Sequence, residues 1–279
     1  MPELPEVETV VRTLSPQLLG SVVERVTVLC PMSIGKPDPD GFREQMASRM
    51  VSDVHRRGKF VVCTLDKGAY LVIHLRMTGR LTLTQSAEPE PRFARVAFHL
   101  HDGRVLWFSD MRKFGRLALT TDPSEIFRGL GPEPFDPSLD AAQFHSRLRP
   151  HKKPVKSLLL DQSFLAGLGN IYADEALFQA GINPRRPAAE LSGEEASRLL
   201  QDVRDVLTKA IVNRGTTIAN YVDANGRPGD NQEYLCVYGR AGQACPRCQA
   251  IIVRLRLSGR STCFCPNCQP AAAQSGQTC

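Results

Sequence analysis

No apolar run in the sequence approaches the length needed to cross a membrane. The first residues, Met1-Pro2-Glu3-Leu4-Pro5-Glu6, have neither the basic start nor the apolar stretch of a signal peptide. A membrane protein and a secreted one are therefore not expected, and the chain is placed in the cytoplasm, where thiols stay reduced. Acidic residues are missing from two stretches. None occurs from Leu235 to Cys279, where Arg240, Arg247, Arg254, Arg256 and Arg260 fall, and none from Arg147 to Leu160, which carries Arg149, His151, Lys152, Lys153 and Lys156. A third basic cluster is Arg56-Arg57-Gly58-Lys59. The net charge is only +6 over 279 residues, so it is the segregation of charge that points to a polyanionic partner. Solvated basic faces are the plainer alternative for each run taken alone.

A reducing compartment leaves nine cysteines without disulfides to explain them. Cys245-Pro246-Arg247-Cys248 and Cys265-Pro266-Asn267-Cys268 are two knuckles separated by sixteen residues, the spacing of a tetrahedral zinc site. A redox pair is disfavoured, because there are two knuckles and no flanking βαβ pattern. Between them Val253, Leu255 and Leu257 alternate with Arg254 and Arg256, and Ser258-Gly259-Arg260 forms a turn. The segment is predicted as a β-hairpin with Arg260 near its tip, stabilised by one structural zinc in place of a core. Cys263 is a rival ligand, but the repeated Cys-Pro-x-Cys favours Cys265. Cys30, Cys63, Cys236, Cys263 and Cys279 are left as ordinary thiols.

Periodicity predicts a helix over residues 2–19, with Val7, Val10, Val11, Leu14 and Leu18 on one face. Proline in the first turn and Glu3, Glu6 and Glu8 nearby suit a helix start. Residues 21–121 are β-like, with runs Val22–Val28, Phe60–Leu65, Tyr70–Leu75, Val96–Leu100 and Val105–Phe108 and turns at Asp66-Lys67-Gly68 and Asp102-Gly103, as in a sandwich or barrel. Gly129–Pro134 is the expected linker, residues 137–214 are helical by period, and 215–234 are rich in Gly, Asn and Asp, so that Tyr221–Tyr234 has the composition of a mobile loop with exposed backbone amides or of an idle surface connection. Gly167-Leu168-Gly169 followed by Asn170 predicts a tight turn and an N-cap. Such a helix start either is simply capped or binds phosphate through its free amides, with Lys156 and its basic neighbours upstream.

Several of these segments, taken in order, resemble one family. Pro2-Glu3-Leu4-Pro5-Glu6-Val7-Glu8-Thr9, Arg57-Gly58-Lys59, His74-Leu75-Arg76-Met77-Thr78-Gly79, Asp110-Met111-Arg112-Lys113-Phe114-Gly115, Gly167–Glu175 and Gly259-Arg260-Ser261 are similar to the formamidopyrimidine-DNA glycosylases of bacteria. The likeness runs from residue 2 to about residue 269. It implies an α+β multidomain fold: an N-terminal helix plus β-sandwich over 1–130, a helix–two-turns–helix domain with a base-capping loop over 131–235, a β-hairpin zinc finger over 236–270, and a disordered tail over 271–279, with DNA in the cleft. It implies removal of oxidised purines from double-stranded DNA by a monomer, followed by strand cleavage. Once Met1 is removed, the Pro2 nitrogen is the nucleophile, Glu3 shuttles protons, Glu6 supports the site, and Lys59 and Arg260 assist elimination at the phosphates. Lys156, Asn170 and Tyr238 hold the backbone, while Met77, Arg112 and Phe114 enter the duplex, Arg112 facing the orphaned cytosine. Without the resemblance Pro2 and the glutamates are helix-start residues, Lys59 is a surface lysine, and Met77 and Phe114 are core.

Two departures stand out. Lys113 follows Arg112 where a second arginine is common, and Arg92-Phe93-Ala94-Arg95 replaces a histidine-bearing stretch, which puts a DNA contact there in doubt, although Arg95 is a candidate substitute. The competing functions are an endonuclease VIII-like enzyme for oxidised pyrimidines and a catalytically silent zinc-ribbon DNA-binding protein. Pro2–Glu6 favours the purine branch, and an intact Pro2, Glu3, Lys59 and Arg260 set disfavours the silent protein.

Overall fold

The computed structural model describes residues 2–271; Cys279 and the rest of the expected tail beyond Ala271 lie outside the described residues. The chain divides into two compact units. The first holds the chain up to Arg128 together with Ala210–Gln232, and the second holds Gly129–Lys209 with Glu233 onward.

The first unit opens with helix α1 (Leu4–Leu18), whose Val7, Val10, Val11, Leu14 and Leu18 face inward and are at most 7% exposed. The strands are β1 (Val23–Val28), β2 (Ile34–Lys36), β3 (Val51–Arg57), β4 (Phe60–Leu65), β5 (Tyr70–His74), β6 (Gly79–Gln85), β7 (Ala94–Leu100), β8 (Arg104–Asp110) and β9 (Arg116–Thr120). They form a four-stranded sheet in the order β1-β7-β8-β6 and a five-stranded sheet in the order β2-β9-β5-β4-β3. One cluster of buried side chains, including Phe98, Phe108 and Val96 from the first sheet and Val61, Ile73 and Leu117 from the second, joins both sheets to α1. This is the two-layer burial of a sandwich. The turns at Lys67-Gly68 and Gly103 are made with positive φ, as their sequences suggest.

Between β2 and β3 lies a helix that the sequence pattern does not predict, α2 (Pro39–Met46). Asp38 caps it by accepting from the amides of Asp40 and Gly41, Pro39 sits in its first turn, and Phe42 and Met46, four residues apart, are buried in the sandwich core. A short helix, α3 (Ser124–Phe127), ends the strand region.

Two connections position the first unit's functional end. The chain leaves β5 in the five-stranded sheet and enters β6 in the four-stranded one through Leu75–Thr78, and returns from β8 to β9 through Met111–Gly115. Gly79 pairs with Asp110 and His74 with Arg116, so these two sheet-switching loops sit side by side.

The second unit contains α4 (Ala141–Leu148), α5 (Val155–Leu159), α6 (Asn170–Gln179), most of α7 (Gly193–Val212), and the hairpin β10 (Val253–Leu257) and β11 (Arg260–Phe264). Helix α6 is buried almost all round, from Ile171 to Phe178, its Asp174 and Glu175 included. Ser258 and Gly259, with φ of 47° and 77°, make the two-residue turn of the hairpin. Among the described residues no helix is long and apolar enough to cross a membrane.

Candidate active site and nucleic-acid interface

Pro2 is buried directly before α1, and Glu3 is the N-cap residue. Glu3 and Glu6 form a reciprocal capping box: each carboxylate accepts from the other residue's amide, with Glu3 N to Glu6 Oε2 at 2.8 Å. Both are acidic yet only 3% and 1% exposed. The positive end of the helix dipole favours carboxylates there. The second oxygen of Glu6 accepts from the Thr216 amide at 2.7 Å, tying the helix start to the strand of chain after α7. Gly215 has φ of 79°, and a Cβ there would lie 3.0 Å from Glu6 Cγ, so glycine is needed on both counts.

Lys59 occupies the turn joining β3 to β4, beside Gly58 with φ of 56°, and is 6% exposed. It is not a surface lysine. Its neighbour His74 is held neutral, its pKa pushed down to about 3 chiefly by burial and further by the charges of Arg76 and Lys59. The His74 Nδ1 accepts from the Arg76 amide at 2.9 Å, which leaves the ring proton on Nε2. The sequence pattern places His74 in a motif without giving it a role.

Met77, Arg112 and Phe114 lie on the two sheet-switching loops and are exposed; Met77 is 44% and Phe114 48% accessible. The core alternative for Met77 and Phe114 is thereby excluded. The three side chains touch: Arg112 Nη1 donates to Met77 Sδ at 2.9 Å, and its guanidinium lies 4.7 Å from the Phe114 ring centroid. Arg95, the candidate substitute contact, spends its Nε on the Asp110 carbonyl at 2.8 Å.

The segment from Tyr221 to Tyr234 differs from the mobile loop its composition suggests. Asp223 accepts from the amides of Asn225 and Arg227, Ala224 donates to Thr13 Oγ1, and Gly229 donates to Thr217 Oγ1. A Cβ on Gly229 would fall 2.1 Å from the Gly215 carbonyl oxygen. The turn-forming Asp, Asn and Gly residues bond inward, and Tyr221 and Ala224 join the core. Ile218–Asn220 and Asn225–Pro228 are the exposed stretches, and Asn220 borders a cavity of about 240 Å³ with Thr78, Arg92 and Ser109.

In the second unit the four sulfurs of Cys245, Cys248, Cys265 and Cys268 lie within 4.8 Å of one another. Two of the separations, 3.8 Å for Cys245–Cys268 and 3.5 Å for Cys248–Cys265, compare well with the roughly 3.8 Å edge of a tetrahedron whose Zn–S bonds are about 2.3 Å. The Arg247 and Cys268 amides each donate to a ligand sulfur. The residues fit one structural zinc. Cys263 points elsewhere: its amide donates to Asp174, and it packs with Phe178, Val237 and Ile252.

Arg260 begins β11, directly after the turn, and is exposed. Tyr238 is half-buried, and its amide is one of three, with those of Cys236 and Val237, that the Glu175 carboxylate accepts at 2.8–2.9 Å. Burial raises the Glu175 pKa despite these bonds. Asn170 is the first residue of α6, not its cap, which is Gly169; its Nδ2 donates to the Ser261 carbonyl at 3.0 Å.

Lys156, expected at the DNA backbone, is buried instead. It is 1% exposed, and its ammonium lies 2.7 Å from Asp174 Oδ1, 2.9 Å from the Ser261 carbonyl and 2.8 Å from Thr262 Oγ1. Its charge is spent inside the protein, anchoring β11 to α6, and is not presented to a phosphate. Burial raises the Asp174 pKa to about 6, against the lowering effect of Lys156 and the Cys263 amide.

A mixed helix-and-sheet architecture ending in a four-sulfur ribbon places the chain among zinc-finger proteins. Three family models match it: the formamidopyrimidine-DNA glycosylase N-terminal domain over 1–117, the H2TH domain of the same glycosylase over 130–221, and the zinc finger found in FPG and IleRS over 242–271. The formamidopyrimidine-DNA glycosylase of Moorella thermoacetica is 50% identical over 261 residues, 92% of this chain and 95% of its own length. That of Pelotomaculum thermopropionicum is 46% identical over 96% of this chain and 99% of its own. Among solved structures, a Lactococcus lactis FPG mutant bound to a Fapy-dG containing DNA is similar at a TM-score of 0.91 and 33% identity, covering 97% of this chain and all of that one. The chain belongs to the formamidopyrimidine-DNA glycosylase family.

Proposed function

We propose that this protein is a base-excision repair glycosylase that removes oxidised purines, 8-oxoguanine and formamidopyrimidines, from duplex DNA and then cleaves the strand by β,δ-elimination. It acts as a cytoplasmic monomer. The observation that carries the proposal is the buried Glu3–Glu6 box at the start of α1, with Pro2 directly before it. Two buried carboxylates are more than a helix start requires, and they stand where an N-terminal amine would work.

Removal of Met1 frees the Pro2 ring nitrogen. An α-amino group titrates at about 7.7–8.0 in peptides, and the helix dipole lowers that of the more basic proline amine, so a neutral fraction is available near pH 7. The nitrogen lone pair attacks the anomeric carbon; the N–C bond forms as the glycosidic bond breaks and its electron pair leaves with the base. Glu3 takes the proton that the ring nitrogen loses and passes it to the sugar ring oxygen, the departing base takes one from water, and ring opening gives an iminium, which a secondary amine can form only as a cation. That cation is the electron sink for successive loss of the 3′ and 5′ phosphates, where Lys59 and Arg260 supply positive charge. Met77, Arg112 and Phe114 fill the space left by the extruded base, which costs a few kcal/mol to unstack. Asn170 and Tyr238 hold the backbone. The exposed amides of Ile218–Asn220 cap the base, beside the cavity bordered by Asn220 and Thr78.

A second reading, action on oxidised pyrimidines, is favoured by one observation: a similar structure, 33% identical, is a wild-type Lactococcus lactis FPG with an oxidized pyrimidine containing DNA. Excision rates on matched duplexes with 8-oxoguanine, formamidopyrimidine or an oxidised pyrimidine separate the two. Faster excision of the purines is expected; equal or faster excision of the pyrimidine overturns the purine assignment.

A further inference from the structure

Asp110 closes β8 and is 1% exposed, although it lies between two exposed loops. Its carboxylate is shared out among groups from both. Oδ2 accepts from the Gly115 amide at 2.7 Å; Oδ1 accepts from the Thr78 hydroxyl and from the Arg112 amide at 3.2 Å. The Arg112 amide also donates to Thr78 Oγ1 at 3.1 Å, so one carboxylate and one hydroxyl form a closed ring across the loops. From the strand side, Arg95 donates to the Asp110 carbonyl oxygen. The glycines that end the loops allow no alternative. A Cβ on Gly115 would meet the Phe108 ring at 2.4 Å and Asp110 Oδ2 at 3.2 Å, and one on Gly79 would meet the Leu75 carbonyl at 2.4 Å. Arg76 and Lys113 each take left-handed φ, 54° and 59°, so both loops turn sharply and need fixing.

Met77 precedes Thr78, and Arg112 and Phe114 flank the other anchored amides. Every exposed side chain of the trio is therefore within one residue of a group bonded to Asp110 or Thr78, or is itself that residue. We infer that Asp110, acting with Thr78, is the positioning residue that locks Met77, Arg112 and Phe114 into one preformed wedge before DNA arrives. The inference rests on the proposed role of that trio in filling the duplex. A preformed wedge spends no free energy on ordering side chains when it enters the stack, and its guanidinium meets the opposite base at a fixed angle. At 1% exposure Asp110 is not presented to base or sugar. It acts only through the loops, because a carboxylate is the one side chain of this size offering two acceptor oxygens to three donors.

The test uses the full zinc-loaded protein on duplexes with 8-oxoguanine opposite cytosine or adenine, and on a duplex with a preformed abasic site. In Asp110→Asn the amide nitrogen faces donors; in Thr78→Val the hydroxyl is lost at constant shape. Each is expected to lower the cytosine-over-adenine excision ratio about tenfold, the scale of one bidentate base contact, while abasic-site cleavage changes much less. Thr78→Ser, which restores the hydroxyl, returns the ratio. If Asp110→Asn does not fold, Thr78→Val and Thr78→Ser carry the comparison. A wild-type ratio in the folded variants overturns the inference. So does an Asp110→Asn, Arg112→Ala double variant whose cytosine-over-adenine ratio falls below that of Arg112→Ala alone, since Asp110 acts on that ratio only through Arg112. Arg112→Ala and Met77→Ala tested alone separate the levels. If both excise as wild type does, the wedge itself is wrong and the inference falls with it; if they lose discrimination and Asp110→Asn does not, only the positioning role fails.

Discussion

Replacing Lys156 by methionine keeps most of its volume and removes its charge, leaving Asp174 buried at 1% exposure without its cation. Breaking one side of a buried pair typically costs about 3–5 kcal/mol. Here the loss has a ceiling, because Asp174 can take up a proton instead. From its ordinary pKa of 3.8, protonation at pH 7 costs about 4 kcal/mol, and at pH 5 about 2 kcal/mol. The sign follows from the raised folded-state pKa: it is about 6 beside Lys156 and rises further once that cation is gone, so the penalty on the charged form is full at high pH and is relieved as pH falls below the raised value toward 3.8. Calorimetry of the zinc-loaded protein is expected to show a transition lowered by roughly 10 °C at pH 7 and by clearly less at pH 5. Adding Asp174→Asn removes the stranded charge and restores much of the loss. In that double variant the salt dependence of DNA binding should match the wild type, because Lys156 neutralises no phosphate. A slope reduced by about one unit in the stable double variant would show that the ammonium does reach DNA and would refute its placement inside the protein.

Cys268→Ser should reduce bound zinc well below one per chain and weaken DNA binding, since the hairpin carrying Arg260 loses its support; metal analysis with a binding titration checks both. His74 stays neutral in the folded protein down to about pH 3 but titrates near 6.5 when unfolded, so its contribution is complete above 6.5 and is lost as pH falls toward 3. A His74→Asn variant should therefore show a shallower fall in melting temperature between pH 6.5 and 4. Ala219→Pro deletes one amide from the exposed Ile218–Asn220 stretch and should slow excision of 8-oxoguanine while sparing a preformed abasic site. Equal slowing on both substrates makes that stretch structural.

Local pattern carried much of the architecture. The apolar stripe of α1, the β-branched runs of the strands, the turns and the Cys-Pro-x-Cys hairpin are signals written within a dozen residues, and each appears close to where its pattern falls. Helix α2 was also written locally, in Asp38, Pro39, Phe42 and Met46, but its Pro and Gly content masks the period. What the text does not contain is the identity of distant partners. Lys156 sits in a basic run like any surface lysine, and only its approach to Asp174 and Thr262 turns it inward. The segment after Tyr221 looks like a mobile loop until the bonds of Ala224 to Thr13, Asn225 to Gln17 and Gly229 to Thr217 are seen. Glu175 and Asp110 lie in motifs that reveal no task for them, because a carboxylate that organises three backbone amides, or two amides and a hydroxyl, is visible only once the chain has folded.

The central claim is that the ring nitrogen of Pro2 forms the covalent link to the sugar. Its most direct test is borohydride trapping on an 8-oxoguanine duplex, with the adduct digested and located by mass spectrometry, for the protein with Met1 removed and for one retaining a residue before Pro2. A single adduct on Pro2 is expected in the first and almost none in the second. An adduct of normal yield in the extended protein, or one mapping to Lys59 or another lysine, contradicts it.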